Sequence, residues 1–199
     1  MRTPGRRVSV AERRARRAMI DDPAVVLEAA ARFLEARSRS VAEVRRRLTG
    51  AGYRADLVEG AIERLTELGM LDDEAFVRAW VESRDRARPR GERAIREELR
   101  LKGIDRASVD LVLADRREAV MGDADGEIGG DGGSAPSPDW TAAERLLAKH
   151  RRGLERVADR RQRRQRAYAL LARNGFDPET CREISATVDI TEEQAEPLD

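Results

Sequence analysis

One pattern occurs three times in this chain of 199 residues: a leucine, three further residues, a glycine and then a large apolar residue. Leu48, Gly52 and Tyr53 form the first copy, and Gly103 and Gly175 mark the other two. A helix that ends in a left-handed residue favours glycine there, and the next apolar residue packs back on the last turn. The pattern therefore predicts three helix ends, each followed by another helical segment.

Apolar positions around these glycines keep the same spacing in each copy. The registered sets are Val44, Leu48, Val58 and Ala61; Ile95, Leu99, Val109 and Val112; and Ala167, Leu171, Cys181 and Ile184. A unit of this length exposes too much of its core when it is alone, so repeated units stack on their neighbours. We expect an all-α protein built from three tandem three-helix modules.

Start and stop signals divide the chain. Asp22-Pro23 and Asp177-Pro178 each combine a cap with proline at the first helical position, and Ser40–Glu43 and Thr141–Glu144 read as capping boxes. The predicted segments are a disordered basic arm over 1–21, module 1 over 22–69, module 2 over 70–121, a flexible acidic, glycine-rich linker over 122–138, module 3 over 139–189 and a disordered tail over 190–199. The arm is rich in arginine and has almost no large apolar residue with which to bury a core.

Charge is distributed unevenly, although the formal net charge is only +1. The second helix of each module is basic and the third leans acidic, so stacking would place basic helices along one side and acidic helices along another. Many runs of charged residues are simply solvent-exposed helix faces, and the codon usage of a GC-rich genome explains much of the high arginine content. The candidate partner- or DNA-binding residues are Arg45, Arg46, Arg47, Arg84, Arg86, Arg88, Arg90, Arg93, Arg96, Arg100, Arg160, Arg161, Arg163 and Arg164.

The sequence offers little for catalysis. Cys181 and His150 are the only residues of their types. Cys181 falls on an apolar repeat position, and His150 has no nucleophile or ligand pattern beside it. The acids at 72–74 are explained by helix capping. We therefore predict a non-enzymatic protein without catalytic residues, metal site or cofactor. No apolar run is long enough to span a membrane and no secretory signal is visible, which predicts a cytoplasmic protein.

Nucleic-acid readers built from three helices place the last helix in the major groove. Here that helix carries carboxylates, which phosphates repel. A row of basic second helices could instead follow a backbone without reading bases. The aromatic residues sit on apolar stripes or after stop glycines, so we expect them in the core rather than as stacking platforms.

Two runs in module 2 closely resemble the central module of the RecX family, which regulates the RecA recombinase. They are LDDEAFVRAWVESR over Leu71–Arg84 and RGERAIREELRLKGI over Arg90–Ile104. Segments Ala31–Tyr53 and Arg161–Phe176 look like the family's outer modules. The likeness covers roughly residues 24–119 and 140–188; the basic arm and the length of the acidic linker depart from it.

This resemblance implies an elongated, curved array of the three modules. It also implies binding in the groove of the RecA filament on single-stranded DNA, typically with inhibition of recombinase and ATPase activity. We expect a monomer with at most weak direct contact to DNA, and the candidate arginines follow from charge placement, not from the family motif. The alternatives are a sequence-independent DNA-binding protein without a filament partner and, less supported, a scaffold for another protein.

Overall fold

Helices account for all the regular structure in the computed structural model, which describes residues 9–123 and 137–188; no strand occurs in these two ranges, so the predicted all-α fold is confirmed. The helices are α1 Val10–Ala18, α2 Pro23–Glu35, α3 Val41–Ala51, α4 Ala55–Glu67, α5 Asp73–Ala87, α6 Glu92–Lys102, α7 Arg106–Asp123, α8 Pro138–Glu155, α9 Arg160–Arg173 and α10 Pro178–Thr187. Within the same ranges, no helix combines the length and the apolar character that crossing a bilayer requires.

Every registered apolar position is buried, and none of these side chains is more than 4% exposed. The glycines after them adopt the left-handed conformation, with φ of 102° at Gly52, 80° at Gly103 and 84° at Gly175. The predicted helix ends and the predicted core positions are thus confirmed together. The repeat therefore exists in three dimensions as well as in the sequence.

The chain packs as two compact units. The first comprises the described residues up to Phe76 together with Lys102–Ile104, and the second comprises Val77–Leu101 and the residues from Asp105 onwards. In the first unit, α2, α3 and α4 bury a core around Val44, Leu48 and Leu65. In the second, α8, α9 and α10 bury a core that includes Leu171, Cys181 and Ile184.

The basic arm differs from its predicted disorder. Residues 1–8 lie outside the described residues, but α1 covers Val10–Ala18 and begins with a capping box between Ser9 and Glu12. The tetrapeptide Ser-Val-Ala-Glu that starts α1 is identical to the one that starts α3 at Ser40. A short helix without buried residues can form here because both ends of this box satisfy backbone amides.

One predicted helix start is wrong. Thr141 lies inside α8, whose N-cap is Ser137 with Pro138 at the first helical position. The Ser137 hydroxyl accepts a hydrogen bond from the Trp140 amide at 3.1 Å. A serine followed by proline is the stronger start signal, since proline is already set for the first turn. The linker predicted for 122–138 is helical at both of its ends, and residues 124–136 lie outside the described residues, as does the tail over 190–199.

A recurring contact joins the stop glycines to the start of another second helix. In the first unit, the buried Ser40 hydroxyl donates to the carbonyl of Lys102 at 2.7 Å. The next residue, Gly103, is so close to α3 that a Cβ atom there would lie 2.4 Å from the Cβ of Ala42. Lys102 also places its Nζ 3.0 Å from Oε1 of Glu43. We call this contact a repeat joint.

The second unit contains an equivalent repeat joint. The amide of Gly91, just before α6, donates to the carbonyl of Asn174 at 3.1 Å. A Cβ atom on Gly175 would lie 2.4 Å from the Cβ of Ala94, and one on Gly91 would lie 2.3 Å from the carbonyl oxygen of Gly175. Glycine is required on both sides because two backbones meet without room for side chains.

The repeat joint of the first unit predicts a pH dependence. Burial opposes ionisation of Glu43, but hydrogen bonds from Lys102, Arg37 and the Ser40 amide outweigh it and lower the pKa of Glu43. A lowered pKa contributes stability above the pKa of the unfolded chain, and the contribution is lost as pH falls through the folded pKa. Glu43→Gln should cost about 1 kcal/mol at neutral pH and less near pH 3, as measured by urea unfolding. The exposed Glu63→Gln is the control; an equal cost at both pH values would contradict the prediction.

Candidate partner-binding surface

The basic second helices and the acidic third helices contact each other inside their own modules. Nε and Nη2 of Arg45 in α3 each donate to the carboxylate of Glu59 in α4 at 2.6 Å. The same pair recurs 51 positions along the chain between Arg96 of α6 and Asp110 of α7. The hydrogen bonds from the arginines lower the pKa of Glu59 and of Asp110. At these positions the two charges neutralise each other rather than lying on separate sides.

Glu98 of α6 gathers further candidate residues around one carboxylate. Its Oε2 accepts hydrogen bonds from Nε1 of Trp80 at 2.9 Å and from Nε of Arg84 at 2.6 Å. The Arg84 guanidinium also lies 4.3 Å from the centre of the Trp80 ring. Arg90 lies 3.5 Å from Oε1 of Glu98 and donates to Oδ1 of Asn174 at 2.5 Å. Arg84 and Arg90 therefore serve the packing of the second unit.

The remaining candidate arginines of α5, of α6 and of the loop between them divide into those with an ion pair and those without one among the described residues. Arg86 pairs with Glu82 one turn earlier in α5. Arg100 donates to both carboxylate oxygens of Glu97, at 2.8 and 2.7 Å. Arg88 and Arg93 are exposed and form no ion pair with any residue that the structure describes. Among the candidate arginines of this region, these two keep an exposed charge without an ion pair to a described residue.

The α9 cluster splits as well. Arg160, Arg161 and Arg164 are exposed and, with Asp159, surround a shallow hollow at the start of the helix. Arg163 is 6% exposed, and its Nε donates to the carbonyl of Val157 at 3.1 Å. A side chain this buried holds the turn before α9, so we leave Arg163 out of the candidate surface.

Three family models match the chain in order along its length. They describe the first, second and third three-helix domains of RecX and match residues 27–65, 72–113 and 138–184. The chain belongs to the RecX family. The three predicted three-helix modules are confirmed by these matches.

Several curated RecX proteins are similar in sequence. "Regulatory protein RecX" of Mycolicibacterium smegmatis is 43% identical over 84 residues, which make up 42% of this chain and 45% of that protein. The corresponding protein of Mycobacterium leprae is 31% identical over 153 residues, or 77% of this chain and 79% of that protein. The chain thus spans less than half the length of the first relative in this match and more than three quarters of the second.

Solved RecX structures share the fold. "Crystal structure of RecX from Lactobacillus salivarius" matches with a TM-score of 0.67 and 18% identity, covering 85% of this chain and 98% of the other. "Crystal structure of regulatory protein RecX" matches with a TM-score of 0.65 and 20% identity, covering 82% and 73%. At this level of identity the likeness concerns the fold alone.

The residues of module 2 that carry the RecX resemblance are buried or bonded to other residues of the chain. The motif residues are Arg90, Gly91, Ile95, Arg96, Glu98, Leu99, Gly103 and Ile104. The three apolar ones are buried, the two glycines belong to repeat joints, and the three charged ones bond to neighbours inside the second unit. The motif residues thus make their described contacts within the chain itself.

The single cysteine, the single histidine and the acidic run at 72–74 have the surroundings that the sequence predicts. Cys181 is fully buried, and burial, aided by the nearby charge of Asp177, raises the pKa of its thiol. His150 is exposed on α8. The Asp72 carboxylate caps α5 by accepting from the amides of Glu74 and Ala75 at 2.8 and 3.0 Å. In the described ranges, no group of three histidine, cysteine, aspartate or glutamate side chains is arranged to hold a metal ion.

The candidate residues chosen by charge placement omit four arginines that lie beside Arg46 and Arg47 in the structure. Arg46 and Arg47 line a cavity in the first unit together with arginines from α1 and α2, namely Arg13, Arg14, Arg17 and Arg32. Composition alone assigns the α1 residues to a disordered arm. The repeated Ser-Val-Ala-Glu tetrapeptide is the signal that could have placed them on a helix.

Proposed function

We propose that this chain is a regulatory protein that binds in the groove of the RecA filament on single-stranded DNA and modulates RecA, typically by inhibiting its recombinase and ATPase activities. It would thereby regulate DNA repair and recombination. The supporting observation is the match of three consecutive RecX domain models over the three helical modules. We propose further that it works without catalysis or a cofactor, as a cytoplasmic monomer.

The physical properties of the surface fit this role. Stacked helical modules present extended faces, and such faces recognise other macromolecules more readily than small substrates. Arg88 and Arg93 leave positive charge uncompensated among the described residues of the second unit. A nucleoprotein filament presents phosphates and acidic side chains to such charges, and the attraction weakens with added salt. The proposed contact residues are Arg88 and Arg93, together with the exposed Arg161 of the same unit.

Arg88→Gln combined with Arg93→Gln should weaken inhibition of RecA. We expect the concentration for half-inhibition of DNA-dependent ATP hydrolysis to rise about tenfold, equivalent to about 1.4 kcal/mol. The matched control is Arg78→Gln with Arg151→Gln, which removes two exposed charges that already pair with Asp115 and Glu155. Far-ultraviolet circular dichroism should be unchanged in both variants. Equal inhibition by the two variants would remove Arg88 and Arg93 from the contact surface.

A binding titration separates this proposal from sequence-independent DNA binding. The unmodified chain is titrated against bare single-stranded DNA and against the same DNA coated with RecA and nucleotide, at physiological salt. Tighter binding to the filament supports regulation through RecA. Equal affinity for both, with no effect on ATP hydrolysis, would favour the DNA-binding alternative.

A further inference from the structure

Helices α1, α2 and α3 line an open recess of about 680 Å³ that we call the α1–α3 cleft. Half of the residues that line it are arginines: Arg13, Arg14, Arg17, Arg32, Arg46 and Arg47. Among the described residues that line the cleft, none is acidic. Every residue of its lining belongs to the first unit.

Close packing of α1 on the end of α3 brings these side chains together. A Cβ atom on Gly52 would lie 2.8 Å from the carbonyl oxygen of Arg14, so only glycine allows this approach. Arg17 then donates from Nη1 to the carbonyl of Ala51 at 3.3 Å. This contact resembles a repeat joint, since the carbonyl before a stop glycine again accepts a hydrogen bond. The α1 arginines are therefore held beside those of α3.

Little negative charge balances the cleft. Arg32 pairs with Glu28 on α2, whereas Arg14 and Arg46 form no ion pair with any described residue. Arg45, the neighbour of Arg46 in sequence, points its charge at Glu59 instead. The unpaired charges of Arg14 and Arg46, clustered with further arginines, raise the local potential and attract anions.

The chemistry of the lining indicates the kind of anion. Guanidinium groups match phosphate oxygens with two parallel hydrogen bonds and donate without accepting. Arginines already lie against the nearby aromatic rings: Arg17 is 5.6 Å from the centre of Tyr53, and Arg39 is 4.3 Å from that of Phe33. These contacts compete with the stacking of bases on the same ring faces. An acidic peptide would bring backbone N–H groups for which these arginines offer no acceptor.

We propose that the α1–α3 cleft binds the phosphate groups of a single-stranded nucleic-acid backbone, independently of base sequence. A recess of this volume admits a few nucleotides of one strand. The site goes beyond the proposed docking on RecA, since it is a direct contact to nucleic acid made by a different unit. Phosphate contacts of this kind position a protein on a strand without reading it.

Fluorescence anisotropy of the full chain with labelled oligothymidylate tests the site. Arg14→Gln with Arg46→Gln should weaken binding about tenfold and reduce the slope of log affinity against log salt by about 0.7 for each phosphate that is no longer neutralised. The matched control is Arg54→Gln with Arg64→Gln, which removes two exposed charges of the same unit that pair with Asp56 and Glu67. The control should bind like the unmodified chain. Circular dichroism confirms that both variants fold.

Competition separates the ligand classes. A mixed-sequence oligonucleotide should displace oligothymidylate as well as oligothymidylate itself does, while poly-glutamate of equal charge should not. Equal affinity of the cleft and control variants would overturn the proposal, and so would displacement by poly-glutamate at equal concentration. None of these assays contains RecA, so the cleft and the filament-regulating function can fail independently.

Discussion

Gly103→Ala is expected to destabilise the first unit by about 2–4 kcal/mol, because a left-handed backbone and a steric clash act at the same residue. The φ of Gly103 is 80°, and an added Cβ would lie 2.4 Å from the Cβ of Ala42, which has no rotatable bond to move it away. The clash would also separate the Ser40 hydroxyl from the carbonyl of Lys102. Urea unfolding followed by circular dichroism measures the loss, and hydrogen exchange of the α3 amides localises it.

Substitutions at two other glycines of the same unit separate the cost of backbone strain from the cost of the steric clash. Gly69 has a φ of 67° but open space around its Cβ position, so Gly69→Ala should cost about 1 kcal/mol from backbone strain alone. Gly60 lies inside α4 with open space and no positive φ, so Gly60→Ala should stabilise the unit by about 0.5–1 kcal/mol. Equal effects of Gly103→Ala and Gly69→Ala would show that the clash is absent.

A compensating change tests the contact directly. Ala42→Gly removes the atom that Gly103→Ala would strike, at the cost of a glycine near the start of α3. The double variant should therefore recover part of the lost stability, and the coupling between the two changes should exceed about 1 kcal/mol. Additive effects would mean that Ala42 and Gly103 do not meet.

The parts of the fold that rest on local rules could be predicted from the sequence. Gly52, Gly103 and Gly175 identify helix ends because a single residue type suits the left-handed conformation, and their registered neighbours identify the core. Local competition explains one error: Thr141 and Ser137 both signal a helix start, and the proline after Ser137 decides between them. Composition predicts disorder for the arginine-rich arm, whereas the capping box at its Ser9, identical in sequence to the one at Ser40, indicates the α1 helix.

The candidate site was harder to predict because charge counts do not reveal pairing. Arg45 and Arg46 are neighbours in sequence, yet one is neutralised by Glu59 and the other lines the α1–α3 cleft. Which arginine meets a carboxylate depends on how α3 packs against α4, and a count of charges along the sequence does not give that packing. Arg163 looks like its exposed neighbours in the sequence, but the turn before α9 buries it.

Arg116 had no sequence signal at all, yet its removal should be among the most damaging changes to the second unit. Its guanidinium is 8% exposed and bridges two carboxylates, with bonds of 2.9 and 2.7 Å to Asp85 and 2.8 Å to Asp139. These partners are 31 and 23 positions away, so α5, α7 and α8 are tied together by one side chain. Arg116→Met should cost about 3–5 kcal/mol, because two largely buried carboxylates lose their partner.

Unfolding followed by tryptophan fluorescence measures this loss, since Trp80 and Trp140 both lie in the second unit. Arg100→Met, which removes an exposed guanidinium paired with Glu97, is the control and should leave the unfolding midpoint unchanged. Adding Asp85→Asn and Asp139→Asn to Arg116→Met should restore much of the stability, since neutral amides cost less to bury than unpaired carboxylates. A triple variant no more stable than Arg116→Met would show that the loss comes from packing rather than from charge.

The pH dependence of Arg116→Met supplies a second, independent test of the same cause. Burial already raises the pKa of Asp139, although hydrogen bonds from the Glu92 amide and from Arg116 oppose it. Without Arg116 that pKa rises further above its unfolded value, so the folded variant takes up a proton as pH falls while the unfolded chain does not. Protonation then favours the folded state, and the stability gap between Arg116→Met and the unmodified chain should narrow as the pH falls from neutral towards the pKa of an aspartate in the unfolded chain. A gap that stays constant over this range would exclude an unpaired carboxylate as the source of the loss.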